Sequence, residues 1–233
     1  MNDCLKKYAV LLLMLVIHCM LAHHVYAQQE VPVKKEWLLY DLLSAKDNPL
    51  KLTGNPLPVY DSVWKAVSFN GIGDGLFYDS ISLYGLKNFT LAAIVRPDSG
   101  GNFEQRFFHT GTIRDDRILL ELRSTRRGWY LDAFLKSGDQ KIAMIDSSKL
   151  HPFHKWYHVA LVMNGDTATS YVNGIKQCSS VVSFQPLGSG HTSLGMRQDL
   201  RSWFKGAIYK ISITPRSLKP GYFEKSKYIP HAQ

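Results

Sequence analysis

The sequence predicts an all-β fold, an antiparallel sandwich or barrel built as a single domain. Three observations carry this prediction. Short apolar stretches are punctuated by Gly, Pro, Asn and Asp; few segments sustain a helical period; and two Asn-Gly steps sit between alternating stretches. Ten segments read as strands: Trp37–Leu42, Lys65–Phe69, Phe89–Arg96, Arg106–Gly111, Ile118–Arg123, Trp129–Lys136, Gln140–Ile145, Trp156–Met163, Thr167–Val172 and Ala207–Thr214. Many short strands spaced by turn signals argue for a sandwich or barrel rather than alternating β and α units. At Met163-Asn164-Gly165-Asp166 and again at Tyr171-Val172-Asn173-Gly174-Ile175, Asn-Gly supplies the positive φ angles of a type I′ hairpin turn, so a three-strand meander is expected. No internal repeat or linker divides the chain.

The first 27 residues read as an export signal. Lys6 and Lys7 precede an apolar run from Ala9 to Ala22, about 14 residues long, and Val25-Tyr26-Ala27 offers small residues for cleavage. A membrane span takes ~20 apolar residues, so cleavage after Ala27 is expected, with secretion or a periplasmic or cell-surface location. A polar lead-in (28–35), a domain (36–218) and a C-terminal tail (219–233) follow. No transmembrane segment is expected after the leader.

Cys4 and Cys19 leave with the leader, and Cys178 alone cannot form an internal disulfide. Stability must then come from a core, for which about 200 residues suffice. The net charge of +9, less Lys6 and Lys7 and without Asp3, becomes +8, which fits either anionic partners or general solubility. No basic run resembles a nucleic-acid tail, and nucleic acid is not an expected partner.

Lys155-Trp156-Tyr157-His158-Val159-Ala160-Leu161-Val162, followed by Asn164-Gly165 and Tyr171-Val172-Asn173-Gly174, resembles the laminin G-like jelly rolls of the concanavalin A-like lectin/glucanase superfamily. Ala66-Val67-Ser68-Phe69-Asn70-Gly71, Phe89 to Pro97, Phe204 to Ile208 and Ile211 to Leu218 fit the same pattern in order, with Asn70 where Asp is usual. The resemblance implies an antiparallel jelly-roll β-sandwich from Trp37 to Leu218. It also implies a ligand, since family members bind glycans, proteins or sterol-like molecules or serve as spacers beside enzymes. Many relatives carry a structural calcium. Here Tyr209-Lys210 replaces their Asp-Glu, which leaves Asp74 and Asp79 without a third acidic ligand, and no cofactor or metal is expected.

Enzymatic chemistry ranks behind recognition. Glycosidases of this superfamily carry Glu-x-Asp-x-Glu on one strand, which is absent; Glu121 has only Asp132, on the next strand, as an accidental partner. The alginate-lyase type needs a central Gln-Ile-His, also absent. There is no Gly-x-Ser-x-Gly elbow, phosphate-binding Gly-rich loop or His-Glu-x-x-His. His158 lacks an evident partner for base catalysis.

Period-2 alternation locates a binding face instead. With Trp129, Leu131, Ala133, Leu135 and Ile118, Leu120, Leu122 pointing inward, Tyr130, Asp132, Phe134, Lys136 and Arg117, Leu119, Glu121, Arg123 point outward. Aromatic rings can stack on sugar rings while charged groups fix hydroxyls or acidic substituents. Arg126 and Arg127, and Arg197 with Arg201 and Trp203 in the run Arg197-x-x-x-Arg201-Ser202-Trp203, are loop candidates beside that face. The expected function is an exported, non-catalytic recognition domain for an extracellular or periplasmic glycan, with acidic glycans favoured. The alternatives are adhesion to a surface protein, a spacer role, and, behind these, glycoside hydrolysis or polysaccharide lysis.

Overall fold

The computed structural model describes residues 34–47, 49–60 and 64–223; the expected leader lies outside them. The described residues hold fifteen strands: β1 (Lys35–Leu38), β2 (Leu50–Thr53), β3 (Leu57–Tyr60), β4 (Lys65–Asn70), β5 (Gly75–Tyr78), β6 (Phe89–Pro97), β7 (Glu104–Gly111), β8 (Arg117–Thr125), β9 (Gly128–Ser137), β10 (Gln140–Ile145), β11 (Tyr157–Asn164), β12 (Thr167–Val172), β13 (Ile175–Val181), β14 (His191–Leu194) and β15 (Lys205–Thr214). They form two antiparallel sheets. One runs β13-β12-β11-β6-β15-β4-β3, with β1 also paired to β15; the other runs β10-β9-β8-β7-β14-β5-β2.

The core lies between the sheets. Leu91, Ala93 and Val95 of β6 and Val159, Leu161 and Met163 of β11 meet Ile118, Leu120 and Leu122 of β8 and Trp129, Leu131, Ala133 and Leu135 of β9. The inward set read from alternation on β8 and β9 is therefore the set that faces the other sheet. Past Leu218, packing continues through a 3-10 turn (Pro220–Tyr222) to Phe223, whose ring stacks on His158 with centroids 5.3 Å apart.

Two local expectations are corrected. The expected strand Trp37–Leu42 ends at Leu38, and a short helix α1 (Leu39–Ser44) follows. Leu39, Leu42 and Leu43 recur at helical spacing and pack on the core, which overrides the extended reading. Of the two hairpins, Asn173 (φ 50°) and Gly174 (φ 79°) form the expected turn with two positive φ angles. The other is shifted by one residue: Asn164 pairs with Thr167, so the loop is Gly165-Asp166 with only Gly165 at positive φ, the type II′ pattern.

Candidate binding site on the seven-stranded sheet

Strand β7 holds the feature that builds the site. Alternation breaks between Arg106 and Phe108, where β7 slips against β8 by a bulge that sends both Phe107 and Phe108 into the core. Backbone groups freed by the bulge bind the segment 195–204: the Arg106 N–H donates to the Ser202 carbonyl at 2.9 Å, and the Gly195 N–H to that of Phe107 at 3.2 Å. That segment is a tight hairpin, with Arg197 N–H donating to the Arg201 carbonyl at 3.0 Å. Gly195 has φ +76°, and a Cβ there would lie 2.3 Å from the buried Phe69 ring, so the hairpin's anchor has room for glycine alone.

The register then aligns charges across three strands. Arg106 faces Glu121 on β8, Glu121 faces Asp132 on β9, and one step along, Glu104 faces Arg123, which faces Tyr130. Arg106 Nη2 lies 2.9 Å from Glu121 Oε2. Arg123 Nη2 donates to Asp132 Oδ2 at 2.5 Å and lies 3.9 Å from Glu121. Glu104 closes the network from the outside, one oxygen 2.6 Å from Arg123 Nη1 and the other 3.1 Å from Arg106 Nη1.

The expectation of an open outward set is corrected for three of its members, since Leu119, Glu121 and Asp132 are all buried. Glu121 and Asp132 are 1% and 0% exposed, covered by the arginines they orient. Charges this deep persist because they are paired. Burial pushes the Glu121 carboxyl up to about 7 against the pull of Arg106 and Arg123, and burial likewise raises Asp132. Glu104, although partly desolvated, is held below the usual range by Arg123 and Arg106.

The remaining candidates fall around this network. Arg117 stacks on Phe134, its Cζ 4.8 Å from the ring centroid. Tyr130 and Phe134 are half-buried, as is Trp203. Arg201 Nε pairs with Asp199 Oδ2 at 2.9 Å on the 195–204 hairpin, and Arg197 pairs with the same carboxylate. Burial lowers the Arg197 pKa, and so do the positive charges of Arg201, Arg106 and Arg117, which places the hairpin in the same field as the strands. Arg126 and Arg127 stand exposed at the β8–β9 turn.

Sequence reading missed Arg106, Glu104 and His109. The Phe107-Phe108 pair was the available signal, since two adjacent core aromatics in an alternating strand mark a bulge and reset the outward positions. His109 is fully buried behind the hairpin. Its Nδ1 accepts from the Gln198 N–H at 3.2 Å and its Nε2 lies 3.0 Å from the Thr112 carbonyl, which assigns the neutral ring with the proton on Nε2. Burial lowers its pKa to about 4.

The two acids considered for calcium are otherwise engaged. Asp74 accepts backbone N–H bonds from Asn55 at 2.8 Å and Asn70 at 3.0 Å. Asp79 pairs with Lys51 at 3.3 Å and His191 at 2.9 Å. Among the described residues no group of three or more His, Cys, Asp or Glu is placed to hold a metal ion, and no helix is long and apolar enough to cross a membrane.

Comparison with known proteins gives the lineage. Domain 4 of AbnA, an extracellular arabinanase from Geobacillus stearothermophilus solved with arabinotriose, is similar in fold: TM-score 0.57 and 19% identity over 75% of this chain and 85% of that one. The botulinum neurotoxin serotype D binding domain aligns at TM-score 0.55 and 13% identity over 74% of this chain. The NanB sialidase from Streptococcus pneumoniae aligns at TM-score 0.56 and 17% identity over 70%. This chain spans 44% of the toxin fragment and 27% of the sialidase. No curated protein sequence matches it. Residues 70–221, from the Asn70 turn through β15, match the sequence family Laminin_G_3, and the chain belongs to that family of the concanavalin A-like lectin/glucanases superfamily.

Proposed function

We propose that the protein is an exported, non-catalytic glycan-binding module whose ligand lies on the outer face of the seven-stranded sheet, with acidic glycans preferred. The carrying observation is the preorganised pair Arg106 and Arg123. Both guanidinium groups are locked by buried carboxylates; Arg123 sits opposite Tyr130 and near the exposed Phe103, whose ring lies 5.7 Å from its Cζ, and Phe134 carries Arg117 further along the same face. Rings and fixed cations together suit a sugar carrying a carboxylate or sulfate. The arabinotriose bound by the arabinanase domain and the naming of the toxin fragment as a binding domain support this reading. The leader sequence supports export and an extracellular or periplasmic ligand.

Hydrolysis is the second reading, because register sets Glu121 directly opposite Asp132 and burial raises the Glu121 pKa, as a general acid requires. Binding ranks above it: both carboxylates are buried under guanidinium groups, leaving no approach to a glycosidic bond. A glycan array probed with the purified domain separates the classes. The expected result is retention on uronate-containing or sulfated chains, reduced by Arg126→Ala/Arg127→Ala, with no cleavage products. Product release that disappears in Glu121→Gln would instead establish the hydrolase, and a protein that ignores every glycan would be an adhesion or spacer domain.

A further inference from the structure

We propose that the anionic group of the ligand binds between Arg106 and Arg123 by displacing the carboxylate of Glu104, which fills that seat in the free protein. The inference rests on the glycan-binding reading and names the chemistry its site selects.

Three carboxylates meet two guanidinium groups here, and they are not equivalent. The Glu121 and Asp132 side chains are 2% and 1% exposed, on mid-strand positions of β8 and β9. They orient the arginines and have no route out. Glu104 opens β7, and its side chain is 48% exposed. It alone of the three can swing into water without unfolding a strand.

Its two oxygens divide between the two arginines, at 2.6 Å from Arg123 and 3.1 Å from Arg106. A sugar carboxylate or sulfate presents the same spacing of acceptor oxygens. Only an ionised group can replace the ion pair with Arg123 and the charge-assisted hydrogen bond from Arg106 that are lost when Glu104 leaves, so a hydroxyl cannot compete. Phe103, exposed beside Glu104 with its ring toward Arg123, offers an apolar surface to the sugar ring carrying that group.

Glu104 is thus an internal competitor. A tethered group acts at an effective concentration of order millimolar, which weakens the wild-type protein for acidic ligands and excludes neutral ones from the seat. Replacing Glu104 by glutamine keeps the shape and removes the competing charge.

The test is calorimetric titration of wild type, Glu104→Gln and Glu104→Ala with oligogalacturonate and with its neutral counterpart, oligogalactose. Both variants should bind oligogalacturonate about tenfold tighter than wild type, with oligogalactose unchanged. Wild type that binds either oligomer while both variants bind oligogalacturonate no more tightly would overturn the displacement and leave the glycan reading standing. Equal tightening for both oligomers would overturn it too, showing a site opened generally. Binding by none of the three proteins would remove this inference together with the glycan reading. If neither variant folds, Glu104→Asp, too short to span both guanidinium groups, carries the same expectations.

Discussion

Arg123→Ala should lower the melting temperature by roughly 10 °C and abolish glycan binding. Arg123 is within reach of three carboxylates, at 2.5 Å from Asp132, 2.6 Å from Glu104 and 3.9 Å from Glu121. Its loss leaves Asp132, with no exposed surface, as an uncompensated charge. Breaking a buried pair in this way costs about 3–5 kcal/mol, and each kcal/mol moves the midpoint of a domain this size by about 2–4 °C. Converting the orphaned acid to a neutral amide in Arg123→Ala/Asp132→Asn should recover part of the loss, and a double-mutant cycle measures how much. Arg123→Lys should not rescue binding, because an ammonium lacks the fork that reaches Asp132 and Glu104 together. The exposed pair Lys51 and Asp79 is the control, since removing either should cost less than about 1 kcal/mol. A melting temperature insensitive to Arg123→Ala would mean that the network is decoration.

The second large effect is a pair of opposed pH dependences inside one site. Glu121 has a folded pKa near 7 against 4.5 for the free side chain. The folded state therefore binds the proton more tightly, and stability falls as pH rises from about 4.5 to 7. Asp132, raised by the same burial, adds to this falling arm. His109 runs the other way. Its pKa drops from 6.5 to about 4 on folding, so the unfolded state binds the proton more tightly and stability falls as pH drops from about 6.5 to 4. A proton on Nδ1 would oppose the Gln198 N–H and loosen the 195–204 hairpin. Each arm is on the order of 3 kcal/mol, or roughly 5–10 °C. Over pH 4.5 to 6.5 they oppose each other in the wild type. Glu121→Gln should therefore melt at increasing temperature as pH rises from 4 to 6.5, and His109→Gln at decreasing temperature as pH rises from 4.5 to 7. Slopes of the same sign in the two variants would contradict the burial assigned to these groups. Glu104 and Glu36, held low by cationic partners, lose their contributions only below about pH 4.5.

Long alternating strands made the sandwich legible. On β8, β9 and β11 the side chains that reach the core are the alternate ones the sequence marks, because a period of two over six or more residues admits only one inward face. The four-residue strands β2, β3, β5 and β14 were not read, since so few residues carry little alternation; they exist because neighbours in the sheets pair with them. The same limit applied to the site. Arg117, Arg123, Tyr130 and Phe134 were placed on one face by local alternation and Arg197, Arg201 and Trp203 in a loop beside it, whereas Arg106 was hidden by a bulge and the docking of that loop on β7 depends on long-range backbone bonds. Burial of Glu121 and Asp132 was not legible either, because it depends on a register across three strands that no single segment encodes.

The central claim is that fixed guanidinium groups on this sheet recognise an acidic glycan, and salt tests it most directly. Titrating wild-type protein with oligogalacturonate and with oligogalactose at low salt and at about 0.5 M salt should show measurable affinity for the acidic oligomer that falls at least tenfold as screening shortens below ~10 Å, with little or none for the neutral one. Equal affinity for both oligomers, unchanged by salt, would contradict the account and assign recognition to ring stacking alone.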